Sequence, residues 1–312
     1  MRIGIVGLGW VGASVAISTL HRGIARELWL NDIREGLAEA ESWDLAHGAS
    51  FYPPCEIRPA SVEAMAEACD AIVIAAGKGA LPGKSRLDSL SITSEIAFDL
   101  GKRLRKARGV VVVVTNPVDV ITQLIQEESG LPPQRVIGTG TTLDTARLRF
   151  LLSNRLRIDE RSIHAYVLGE HGDSSFVAWS GAVVGGLPLR HLPNWKQEEE
   201  EAIEQSVRRA AYEIIARKGA TNHAIGLVTA SLLQAIVRDE RRIATVSILR
   251  SGPEYSELIG PEPICLSLPT VIGAEGAGPS ILPRLDERES ALLRRSADIL
   301  RQAHRSVISQ RA

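Results

Sequence analysis

The chain has 312 residues, 45% of them hydrophobic and 23% charged, enough for a dinucleotide-binding domain and a second domain of similar size. Its 36 basic and 37 acidic residues nearly cancel, which leaves no electrostatic case for nucleic acid or a membrane surface as the main partner. The three cysteines, Cys55, Cys69 and Cys265, are widely spaced and form no Cys-x-x-Cys pair, which argues against a disulfide framework or zinc site and for a reducing cytoplasm.

Strand-like sequence begins at Arg2-Ile3, so no signal peptide is expected. Residues 3–6, 28–30, 71–75 and 110–114 are continuous apolar runs, the pattern of parallel strands covered on both faces. The last of these is far shorter than the ~20 residues needed to span a bilayer. Helical stretches lie between the runs and give a βαβ order, with the domain ending near residue 140. Beyond it the sequence predicts a helix over 143–156, a β-rich stretch over 163–168 and an amphipathic helix over 198–218. That last helix carries Ile203, Val207, Ala211 and Ile214 on one face, acids at its start, cations at its end and Gly219 as a cap. Strands are expected over 245–249 and 264–268, antiparallel to each other. A final helix carries Leu293, Ala297, Leu300 and Val307 on one face. The fold class is therefore α/β: a Rossmann-type doubly wound parallel sheet over 1–140, followed by an α+β substrate domain over 141–312.

Gly7-Leu8-Gly9-Trp10-Val11-Gly12 follows the first strand and opens a helix. Absent side chains permit a tight turn and close approach of a pyrophosphate, and the helix start offers unpaired N–H groups to it. Gly7, Gly9, Trp10, Val11 and Gly12 are thus candidate cofactor contacts. Asp32 closes the second strand, 20 residues beyond Gly12, where it would accept from the adenosine ribose hydroxyls and repel a 2′-phosphate, favouring NAD over NADP. Asp32 could instead serve as a helix N-cap. Arg34, nearby, could soften the discrimination or simply be an exposed surface arginine.

His171 lies between glycines after a β-rich segment, in Gly169-Glu170-His171-Gly172-Asp173. Asp144 and Arg147 are three apart on a predicted helix and so share a face. Asn116-Pro117 follows the fourth apolar run at its carboxyl end, where open α/β sheets bind ligands. Arg86 sits in a stretch, 77–87, that reads as a mobile loop. Taken singly, these residues could be a surface ion pair, a turn and a solvated loop charge.

Together with Gly7 to Gly12, the segments Pro82-Gly83-Lys84-Ser85-Arg86, Thr115-Asn116-Pro117-Val118-Asp119, Thr139 to Arg149, Gly169 to Ser174, Lys218-Gly219-Ala220-Thr221 and Leu266-Ser267-Leu268-Pro269 occur in one order. In this the chain resembles the lactate/malate dehydrogenase family over nearly its whole length. The resemblance implies an NAD-dependent L-2-hydroxy acid dehydrogenase, homotetrameric and cytoplasmic, serving glycolysis. It implies His171 as proton donor and acceptor, Asp144 as its orienting carboxylate and Arg147 as the fork for the substrate carboxylate. It further implies Arg86 as a lid residue polarising the carbonyl, with Asn116 and Thr221 orienting substrate and nicotinamide.

In this family the position just ahead of the residue that precedes the loop's Pro-Gly sets substrate choice, and counting from Pro82-Gly83 it falls on Ala80, with Leu81 following. Glutamine there accompanies lactate and arginine malate; Ala80 is neither. Without a cation a second carboxylate would be desolvated and unpaired, so pyruvate/lactate ranks first, bulkier 2-hydroxy acids second and malate/oxaloacetate third. Lys78 and Lys84 lie in the same loop and could alter that order. Arg149 and His164 match two positions that bind fructose 1,6-bisphosphate between subunits in allosteric members, so this sugar bisphosphate is an expected effector; an exposed arginine and a strand histidine are the alternative. An NAD-dependent glycosidase would need metal ligands, and no suitable Cys/His cluster is evident. A non-catalytic NAD-binding protein would have little reason to keep His171, Asp144, Arg147 and Arg86 together.

Overall fold

The computed structural model describes residues 1–78 and 86–311, with the backbone alone for residues 86–89. The first half lays down β1 (Arg2–Val6), α1 (Trp10–Arg22), β2 (Glu27–Asn31), α2 (Leu37–His47), β3 (Glu56–Pro59) and α3 (Val62–Ala68). It continues through β4 (Ala71–Ile74), α4 (Arg86–Arg103), β5 (Val110–Val113), α5 (Val118–Ser129) and β6 (Val136–Gly138). These six strands are mutually parallel and lie in the order 3-2-1-4-5-6, so the winding reverses between β1 and β4. At such a switch point the loops at the carboxyl ends of the two strands diverge and leave a crevice.

Alternation along each strand explains why these runs are apolar throughout. Ile72, Ile74, Val111 and Val113 face one core; Ile3, Ile5, Val73, Val110 and Val112 face the other. Both faces are covered by helices, so neither can be polar.

The second half opens with α6 (Thr142–Leu156) and passes through four short strands, β7 (Ile163–His164), β8 (Val167–Leu168), β9 (Phe176–Val177) and β10 (Val183–Val184), then β11 (Leu187–Pro188). There follow α7 (Glu200–Lys218), α8 (His223–Val237), β12 (Arg242–Arg250), α9 (Pro253–Ile259), β13 (Ile264–Gly273), β14 (Gly276–Ser280) and α10 (Glu287–Arg311). The antiparallel strands expected over 245–249 and 264–268 are longer than that and extend the first sheet. Strand β12 joins β6 at the single pairing Ser247↔Gly138, then pairs β13 from Arg242↔Ile272 to Arg250↔Ile264. Among the described residues the result is one sheet of nine strands.

Two local expectations differ from the structure. The stretch read as a loop to residue 87 ends sooner, because α4 begins at Arg86. Ala80 and Lys84 lie outside the described residues, as does the side chain of Arg86; Lys78 is exposed just after β4. On α7, Val207 is buried but Ile214 is 40% exposed. Periodicity defines which face of a helix is apolar, and the C-terminal part of that face extends beyond the body it packs on. The helix ends, as expected, on Gly219 in the left-handed region.

The two halves are locked beside the crevice. Asn222, buried directly after Thr221, donates from Nδ2 to Ser14 Oγ of α1 at 2.8 Å and accepts from Lys218 Nζ at 2.6 Å. On α10, Leu293, Ala297, Leu300 and Val307 are all buried against the sheet, as their spacing requires.

Candidate active site

The glycine-rich turn has the geometry of a phosphate cradle. A Cβ on Gly12 would stand 1.9 Å from the Gly7 carbonyl oxygen, so the turn closes only with glycine there. A Cβ on Gly9 would meet nothing within 4 Å, which leaves the mouth of the turn open. Gly9 is also the N-cap of α1 and provides no side-chain acceptor, so the first N–H groups of that helix point out to the crevice. Trp10 is exposed and Val11 half-buried at the same mouth. A pyrophosphate fits this arrangement.

Asp32 at the end of β2 faces the turn: its Oδ2 accepts the Leu8 N–H at 2.7 Å. Helix α2 is capped by Gly36, so Asp32 is not a helix cap. Burial works against ionisation of Asp32, but hydrogen bonds from the Arg34 guanidinium, the Arg34 N–H and the Leu8 N–H outweigh it and hold the carboxyl below its ordinary range.

Across the crevice, α6 places Asp144 and Arg147 one turn apart, and Asp144 divides its two oxygens between two partners. Oδ2 meets His171 Nδ1 at 2.7 Å, and Oδ1 accepts from Arg147 Nη1 at 2.8 Å. The Asp144–Arg147 pair therefore exists, but inside the cleft and not on the surface: Asp144 is buried. Desolvation disfavours the charged imidazole, but the Asp144 charge and hydrogen bond prevail, and the His171 pKa is raised above its ordinary 6.5. The same pair holds Asp144 below its ordinary value despite burial. A histidine bound at Nδ1 by a carboxylate presents Nε2 outward, protonated or free, to a group in the cleft. The guanidinium of Arg147 carries donors beyond Nη1, disposed as a planar fork.

The loop that carries His171 is fixed by long-range bonds. Gly169 N–H donates to the Ser267 carbonyl of β13 at 3.1 Å, and Ser267 N–H returns to Gly169 at 2.9 Å. Glu170 N–H donates to Ser296 Oγ of α10 at 2.6 Å, and His171 N–H donates to Asp119 Oδ2 of α5 at 2.7 Å. Three successive N–H groups thus end on three different elements. Gly169 has φ +87°, and a Cβ there would lie 2.6 Å from Ser296 Oγ, so this position also requires glycine.

Asp119 is the residue that sequence reasoning missed. Its place in Thr115-Asn116-Pro117-Val118-Asp119 marks the motif, yet nothing local shows that its carboxylate reaches residue 171. Full burial pushes the Asp119 carboxyl up to about 6, against the pull of the Ser247 hydroxyl and the His171 N–H. Asn116 lies exposed at the carboxyl end of β5, with a cis bond to Pro117. Thr115 Oγ1 donates to the Ala76 carbonyl at 2.8 Å and ties the ends of β4 and β5 together beneath it. Thr221 is half-buried at the start of α8.

Away from the cleft, Arg149 Nε donates to the Ala165 carbonyl at 3.3 Å, and its guanidinium lies 5.2 Å from the centre of the Tyr166 ring. Ala165 is next to His164, which is exposed. Burial lowers the Arg149 pKa from its ordinary value. Among the described residues no group of three or more His, Cys, Asp or Glu is placed to hold a metal ion, and no helix is long and apolar enough to cross a membrane.

Comparison with known proteins adds two family matches. Residues 1–138 match the lactate/malate dehydrogenase NAD binding domain, and residues 141–310 match the alpha/beta C-terminal domain of the same family. An L-lactate dehydrogenase of Thermus aquaticus is 42% identical over 310 residues, covering 97% of this chain and 98% of that protein. One from Synechococcus sp. (strain JA-3-3Ab) is 43% identical, covering 98% and 99%. Two solved structures superpose with TM-scores of 0.92, each covering 98% of both chains. One is a lactate dehydrogenase enzyme from a Medee basin deep-sea metagenome library, 38% identical, and the other the minor L-lactate dehydrogenase of Enterococcus mundtii in a ligand-bound form, 34% identical.

Proposed function

This chain belongs to the lactate/malate dehydrogenase family, and from that premise we propose that it is an L-lactate dehydrogenase, converting pyruvate, NADH and a proton to L-lactate and NAD⁺ and the reverse. The observation that carries the reading is Asp144, one buried carboxylate that fixes His171 on one oxygen and Arg147 on the other.

That geometry supports the roles of His171, Asp144 and Arg147, and the family pattern supports the others. The bound dinucleotide supplies or receives a hydride at its nicotinamide. His171 Nε2 gives its proton to the 2-oxo oxygen as the alkoxide charge develops, and takes it back in oxidation. Asp144 holds the Nδ1–H tautomer and stabilises the imidazolium. Arg147 receives the substrate carboxylate on its planar fork, next to the histidine, so that the oxo group meets Nε2. Asn116, exposed after β5, and Thr221, half-buried just before α8, are assigned the orientation of substrate and nicotinamide on the family pattern. Gly7, Gly9, Trp10, Val11 and Gly12 border the pyrophosphate, and Asp32 takes the adenosine ribose. Arg86 is assigned the lid role on the family pattern. The division between cofactor and substrate halves falls at 140/141.

Ala80 provides no cation for a second carboxylate, which places pyruvate ahead of bulkier 2-oxo acids and those ahead of oxaloacetate. Fructose 1,6-bisphosphate is the proposed effector: Arg149 is anchored to the Ala165 carbonyl, next to exposed His164, a guanidinium and an imidazole whose N–H donors suit a phosphate at a symmetric contact. The proposed homotetramer would cover exposed apolar side chains such as Trp43, Phe51, Leu227 and Ile215; light scattering giving a monomer mass would contradict it. The proposed cytoplasmic location accords with three free cysteines, and the role in glycolysis is proposed on the family pattern alone.

The test is NADH oxidation with pyruvate, 2-oxoisocaproate and oxaloacetate in parallel, each with and without fructose 1,6-bisphosphate. The expected result is the highest kcat/KM for pyruvate, with KM lowered by the sugar bisphosphate. Faster turnover of oxaloacetate would overturn the substrate assignment, and an unchanged KM would overturn the effector.

A further inference from the structure

Arg34 does not extend away from the protein as its surface position suggests. Its Nε donates to Asp32 Oδ1 at 3.0 Å, and its Nη2 lies 3.4 Å from both Asp32 Oδ2 and the Leu8 carbonyl oxygen. The guanidinium therefore bridges the end of β2 and the glycine-rich turn, at the lip of the crevice. The two partners are unequally held. The Asp32 side chain is 7% exposed and anchored by the Leu8 and Arg34 N–H groups, whereas the Arg34 side chain is 61% exposed. The neighbouring Ile33 is fully exposed and Glu35 is exposed on the same turn, so among the described residues no element covers the guanidinium.

A lone carboxylate at this point repels a 2′-phosphate on the adenosine ribose. Here the carboxylate is matched by a cation on its solvent side, and that cation is the side chain whose planar donors suit phosphate. We propose that Arg34 is a specificity-determining residue that lets this site accept a 2′-phosphorylated dinucleotide, NADPH, alongside NADH. The inference rests on the assignment of Asp32 to the adenosine ribose. On binding NADPH, the guanidinium turns its Nη groups from Asp32 to the 2′-phosphate; on binding NADH it stays where it is or yields Asp32 to the ribose hydroxyls. No covalent step is involved.

Equilibrium titrations of nicotinamide fluorescence with NADH and with NADPH, without substrate, isolate the 2′-phosphate as the only difference between the probes. Wild type is expected to bind both. Arg34→Ala should weaken NADPH roughly tenfold or more, the scale of losing a charge-assisted phosphate contact, and should weaken NADH by a clearly smaller factor. Arg34→Lys should restore part of the NADPH affinity. Asp32→Ser should weaken NADH and strengthen NADPH. Arg34→Ala moving both dinucleotides by one factor, or neither, would overturn the proposal, and so would a wild type that binds no NADPH. If Asp32→Ser leaves NADH binding unchanged, the ribose assignment is wrong and the proposal goes with it.

Discussion

His171→Asn is expected to reduce kcat for pyruvate by about 10²–10⁴-fold, the usual contribution of a positioned general acid, while leaving the dissociation constant of NADH nearly unchanged. Asparagine keeps a side-chain N–H that can face Asp144 but has no proton to give at neutral pH. The backbone of the loop does not depend on the imidazole, because its N–H groups are held by Ser267, Ser296 and Asp119. Loss of turnover with intact cofactor binding therefore separates the chemical step from the fold. Steady-state rates beside an NADH fluorescence titration check it; full turnover in the variant would end the role given to His171.

Arg147→Lys keeps the charge and loses the fork. Lysine can still reach Asp144, so His171 stays oriented, but one ammonium cannot hold both oxygens of a substrate carboxylate in the plane that aims the oxo group. Hydrogen bonds to charged groups are worth about 1.5–3 kcal/mol, so kcat/KM for pyruvate should fall roughly ten- to a hundredfold or more. Oxamate, isosteric with pyruvate and also a carboxylate, should lose affinity by a similar factor when titrated against the NADH complex. Unchanged oxamate binding would show that the guanidinium holds no carboxylate.

Much of this site is visible in the residues alone because its parts are local. Asp144 and Arg147 are one helical turn apart, Gly7 and Gly12 are dictated by a turn that admits no Cβ at either, and apolar runs mark strands with two buried faces. What is not visible depends on sequence separation. Nothing near residue 171 announces that its N–H will meet Asp119, 52 positions away, or that Ser296 of the last long helix will hold Glu170. The second-half strands could be seen as an antiparallel pair, but their attachment to β6 rests on one pairing, Ser247↔Gly138, which no pattern encodes. Ile214 shows the opposite failure: the pattern is present, but the surface it would bury against stops short of it.

Arg34 and Asp119 illustrate how a charged side chain gains meaning from its neighbours in space. Asp119 is a carboxylate that burial makes harder to ionise, held beside the histidine whose proton affinity it raises. Arg34 neutralises an acid that would otherwise discriminate strongly. The effect of Asp119 cannot be inferred from residue type, and for Arg34 the sequence leaves it open against an exposed surface arginine.

The central claim is that His171 carries the proton that accompanies the hydride, and pH profiles in both directions test it most directly. Asp144 raises the His171 pKa above its ordinary 6.5, so the imidazolium is the form present below the shifted pKa and is lost as pH rises through it. Pyruvate reduction needs that form, and lactate oxidation needs the neutral ring. Plots of kcat/KM against pH should therefore be mirror images, reduction falling and oxidation rising through one shared pKa above 6.5. Two profiles that change in the same direction, or a shared pKa below that value, would contradict the account.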